Sequence, residues 1–76
     1  MNKSRRQKIE DVVSQLMDLQ TEIEELRDEE QEVVDNMPEN LQGTERFEIA
    51  EAAADNLDNA CSSMEELIDY LNEAAE

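Results

Sequence analysis

The chain has 76 residues, of which 22 are acidic and 6 basic, and its formal net charge is −16. It holds no histidine, one cysteine, one glycine and one proline. This excludes imidazole chemistry, an intramolecular disulfide, a Cys-cluster zinc site and a sheet needing a turn roughly every 8–12 residues.

A chain this short forms one domain, 1–76, that buries a modest fraction of its surface. No apolar run approaches the ~18 residues of a membrane span. The basic start, MNKSRRQK, leads into charged sequence and not into an apolar signal core, so a cytoplasmic protein with a reduced thiol is expected.

The first segment concentrates Lys3, Arg5, Arg6 and Lys8 in eight residues, leaving only Arg27 and Arg46 to oppose all 22 acids. Ser4 with Gln7 matches the capping-box pattern and predicts a helix from about Arg5. From there Ile9, Val12, Leu16, Leu19, Ile23, Leu26, Val33 and Met37 recur at 3-4 spacing, with Glu30 where an apolar residue is due. Such a seam predicts an amphipathic helix, here about residues 5–35.

Pro38 stops that helix near Asp35 or Asn36. Residues 36–44 form the connector, with Gly43 suited to a left-handed turn and Thr44 to capping the next helix. The connector reads either as a well-specified turn, with Met37 and Leu41 closing the bundle end, or as a contact tip. In the second reading Asn36, Met37, Pro38, Glu39, Asn40 and Arg46 meet a protein partner.

The second helix spans about residues 45–75, with an unbroken seam of Phe47, Ala50, Ala54, Leu57, Cys61, Met64, Ile68, Leu71 and Ala75. Two helices of roughly 31 residues, each about 46 Å long, predict an all-α antiparallel hairpin of coiled-coil type. Pairing Val33 with Phe47 gives a constant index sum, and Leu26–Ala54, Leu19–Cys61 and Val12–Ile68 follow as core layers. Glu30 falls opposite Ala50, within expected reach of Arg46. The bases of the first turn should lie beside Glu73 and Glu76 at the open end.

A hairpin alone is thin. Helix 2 carries a third apolar column, Ala53, Ala60, Leu67 and Ala74, and helix 1 has Val13, Met17 and Val34 off its seam. Stripes this wide predict a homodimer in the form of a four-helix bundle, with the alanine column as its interface. A different protein could cover the same column. The net charge opposes self-association, so salt should favour it.

Nothing in the chain assembles a catalytic site. Glu30 has no companion acid, histidine or nucleophile, and Cys61 falls on the seam as a small core residue. Di-iron bundles need Glu-x-x-His, and Asp55 to Asn59 lacks the alternation and glycine of a calcium loop. The expectation is no enzyme, no metal and no cofactor. Ile49 and Tyr70 fall on the outer face, as ordinary exposed apolars or as partner anchors. The dense carboxylates repel nucleic acid and anionic membranes, and would attract a basic protein surface. The leading reading is a non-enzymatic interaction protein that binds itself and a protein partner. The alternative is a DNA mimic that inhibits a nucleic-acid-binding or anti-phage defence protein.

Four motifs in the middle of the chain carry a resemblance. They are Glu29 to Glu32 (EEQE), Asp35 to Glu39 (DNMPE), Thr44 to Arg46 (TER) and Asp55 to Leu57 (DNL). This pattern resembles a family of small acidic proteins encoded by phages, prophages and mobile elements of Firmicutes. The resemblance implies a phage-associated origin and adds weight to the connector as a contact site. It implies no activity.

Overall fold

A computed structural model describes residues 1–76 as two long helices joined by a short connector. Helix α1 spans Lys3–Asp35, a single 3₁₀ turn spans Glu39–Leu41, and helix α2 spans Glu45–Ala74. The N-terminal start differs from the expected one. Asn2, in extended backbone, accepts a hydrogen bond from the Arg5 amide at 2.8 Å, so the helix begins two residues earlier than the Ser4 capping box predicts.

The far end follows the sequence reading. The Asn36 amide donates to the Glu32 carbonyl at 3.0 Å, and Pro38 then turns the chain out of the helix. The 3₁₀ turn closes through Leu41 N–H to the Pro38 carbonyl at 2.9 Å. Gly43 takes φ +84°, where an L-residue is strained. Thr44 accepts from the Phe47 amide at 3.3 Å while its hydroxyl donates to the Leu41 carbonyl. Met37, Leu41 and Phe47 are half-buried at this end.

The helices run antiparallel. Residues 27–31 of α1 stand beside 54–58 of α2, and residues 17–20 beside 65–69. The result is a rod of 59 × 15 × 12 Å with a radius of gyration of 17.3 Å. A compact chain of this length has a radius of about 11 Å. The accessible surface is 5750 Å², against about 4,700 Å² for a compact protein of the same mass. Only Val13, Ala50, Ala54, Cys61 and Ile68 are buried.

On α2 every residue of the predicted seam from Phe47 to Ala75 is buried or half-buried, and Ala53 beside it is half-buried as well. On α1 the seam is turned. Ile9, Leu16, Ile23, Glu30 and Met37 face the partner helix as expected, but the second column is Val13, Gln20, Arg27 and Val34. The expected column, Val12, Leu19, Leu26 and Val33, is about half exposed, at 46–52%. The layers drawn through those four residues are therefore corrected, and Val13 and Val34 belong to the seam. The register is corrected as well: residues 27–31 stand beside 54–58, so Glu30 lies near Ala54 and not opposite Ala50.

The physical reason lies in Arg27. A helix that meets one partner has room for about two columns, and three of α1's columns compete for them. Arg27 lays its aliphatic stem along the seam and sends its guanidinium to Asp28 at 3.2 Å and Asp58 at 3.6 Å. This tips α1 toward the column that contains it. The expected pair of Glu30 with Arg46 does not form. Both ion pairs of the chain belong to Arg27, Arg46 is exposed, and Glu30 sits half-buried in the seam without a salt bridge. Nor do the first-turn bases pair with Glu73 or Glu76. Arg6 instead reaches the Met1 carbonyl at 3.4 Å.

Candidate interaction surface

The cross-helix contacts define the two flanks of the hairpin. On one flank Arg27 bridges to Asp58, and the hollow around them is completed by Asp28, Gln31, Ala54 and Asp55. Further along, Met17 and Gln20 stand beside Glu65, Ile68 and Asp69. This flank is therefore built from the 17/24/31 column of α1 and the 51/58/65 column of α2, and it is predominantly acidic. The Arg27 guanidinium is held above its ordinary range, chiefly by the hydrogen bond to Asp28, with Coulombic support from Asp28, Cys61 and Asp58.

The opposite flank follows from helical geometry. On α1 the 12/19/26/33 column lies on the side of the seam away from Arg27. On α2 the 53/60/67/74 column lies on the side away from Asp58. Both columns therefore border the same face. The next column outward on α2 is Ile49, Asn56, Ser63 and Tyr70. These three columns hold twelve residues without a single charge, in a chain of 28 charged side chains. Val12, Leu19, Leu26 and Val33 are about half exposed, and Leu67, Ile49 and Tyr70 are exposed as well. Acids thus line the other sides of the rod beyond its basic first turns, and one strip is uncharged.

No family model, no curated protein and no solved structure matches the chain.

Of the residues expected at the dimer interface, Ala60, Leu67 and Ala74 are exposed on the uncharged face and Ala53 is half-buried beside it. The connector set is divided. Asn36 ends α1, Met37 turns into the bundle end, and Pro38, Glu39 and Asn40 form an exposed tip. Arg46 belongs elsewhere: it lies one heptad before Ala53 and caps the uncharged strip at the connector end. Sequence reasoning placed Ile49 and Tyr70 on the outside without connecting them. The signal available was their heptad step through Asn56 and Ser63, the one outer column of α2 free of acids.

Cys61 is 4% exposed and offers no accessible thiol. No group of three or more potential metal ligands converges. No helix is long and apolar enough to cross a membrane.

Proposed function

We propose that this chain is a non-enzymatic, cytoplasmic interaction module of phage-associated origin, which self-associates through its uncharged face and presents the connector tip to a protein partner. The observation that carries this reading is the strip itself. Apolar side chains are left half exposed along α1 beside an alanine-lined column of α2, and the acids that line the other sides of the two helices are missing there. Continuous apolar patches of this kind mark association surfaces. Alanine, which lets helix axes approach closely, is suited to a four-helix bundle. The connector, turned by Gly43 and by the Thr44 and Leu41 hydrogen bonds, presents Pro38, Glu39 and Asn40 as an exposed tip.

Tyr70 borders the strip, and it is the one tyrosine of a chain without tryptophan. Its fluorescence therefore reports directly on that face. Acrylamide quenching should be suppressed at high protein concentration and should rise on dilution as the face is uncovered. Quenching that is independent of concentration would contradict the reading.

A second reading, mimicry of nucleic acid, is favoured by the segregation of carboxylates onto the remaining sides of a rigid rod. Under it, immobilised chain should retain DNA-binding proteins that duplex DNA then displaces, with affinity falling steeply as salt rises. The two readings use different faces.

A further inference from the structure

Resting on self-association through the uncharged face, we infer that the partner on that face is a second copy of this chain docked antiparallel, so that the open end of one hairpin lies beside the connector end of the other. The ends of the rod differ sharply in charge. At the open end residues 1–8 hold four bases and the adjoining residues 69–76 of α2 hold three acids, which leaves that end close to neutral, whereas residues 28–51, around the connector, hold nine acids and one base. Both ion pairs belong to Arg27, and Lys3, Arg5, Arg6 and Lys8 form none.

A parallel arrangement sets two strongly acidic connector ends side by side. An antiparallel one sets each acidic end beside the other copy's unpaired bases, and charge complementarity of this kind selects orientation more than it adds affinity. The area is sufficient. The strip from Val12 to Val33 is about 30 Å long, and a width of roughly 20 Å across two helices gives about 600 Å² per copy, or about 1,200 Å² in all, at the lower limit for a specific interface.

The uncharged strip is also compatible with this symmetry. A two-fold axis crossing α1 between Leu19 and Leu26 sets α1 against α1 and α2 against α2. Val12 then falls close to Val33 of the partner subunit, while Val12 and its own counterpart are separated by about 30 Å. In a parallel dimer the relation is reversed.

The test is cross-linking in a Cys61→Ser background with a short bis-maleimide. Cys61→Ser carrying Val12→Cys, and Cys61→Ser carrying Val33→Cys, should each give little cross-linked dimer alone. An equimolar mixture should give abundant 12-to-33 product. Both sites are half exposed, so the hairpin tolerates the changes, and circular dichroism of each variant checks this. Efficient 12-to-12 and 33-to-33 products with none from the mixture would overturn the orientation while leaving self-association standing. No product at any site, with a monomeric mass, would overturn both.

Discussion

Leu26→Glu is the sharpest test of the uncharged face. Leu26 is 52% exposed in the isolated hairpin, which leaves about 90 Å² of side chain for a partner to cover, worth about 2 kcal/mol at ~25 cal/mol/Å². A symmetric dimer covers it twice, so the loss is about 4 kcal/mol, or about a thousandfold in Kd. Desolvating the new carboxylates increases the loss further. The hairpin itself should hardly notice, since the side chain is already half in water. Met17→Glu is the matched control. Met17 is 54% exposed, but it stands beside Glu65 and Asp69 on the acidic flank. Sedimentation equilibrium of the two variants, with circular dichroism to confirm helicity, should show Leu26→Glu monomeric and Met17→Glu associated like the parent. Equal effects of the two substitutions, or dissociation by Met17→Glu alone, would refute the assignment of the face.

The remaining predictions concern the hairpin. Asn2→Ala should cost about 1 kcal/mol and speed exchange of the Arg5 amide, while Ser4→Ala should leave both unchanged. Thermal melts and amide exchange decide between the two caps. Gly43→Ala should destabilise by about 1 kcal/mol through backbone strain alone, because nothing lies within 4 Å of the added methyl group; denaturant melts measure it. Glu30→Leu should stabilise the hairpin by about 1–2 kcal/mol, since the carboxylate interrupts the seam without an ion pair, and a lower denaturation midpoint would refute this. Raising salt from about 50 to about 500 mM should tighten the parent dimer by screening the charge of two −16 chains, as read from sedimentation.

The two helices of the hairpin were not equally legible. In α2 the unbroken seam read from the sequence is the buried one, and the third apolar column, Ala53, Ala60, Leu67 and Ala74, lies at its edge, exposed except for half-buried Ala53. In α1 the 12/19/26/33 column is wholly apolar and the 13/20/27/34 column is half polar, so apolar periodicity favours the first. The fold uses the second. What decides it is a tertiary fact that no periodicity carries: Arg27 can cover the seam with its stem and still reach Asp28 and Asp58. The displaced column is also what creates the candidate surface, since it turns an expected core layer into one half of an exposed face. The alanine column was readable as a candidate interface. Its joining to Val12, Leu19, Leu26 and Val33 was not, because that required knowing which flank Arg27 occupies. The start of α1 was misplaced for a local reason, as Asn2 competes with Ser4 for the cap and wins with a bond to Arg5.

The most direct test of the account is the mass of the unmodified chain in solution. At tens of micromolar in salt near physiological strength, sedimentation equilibrium should give twice the chain mass of 8.7 kDa, falling to the single-chain value on dilution. A mass of 8.7 kDa throughout that range would mean that the uncharged face does not bind its own kind, and the four-helix bundle would fall with it.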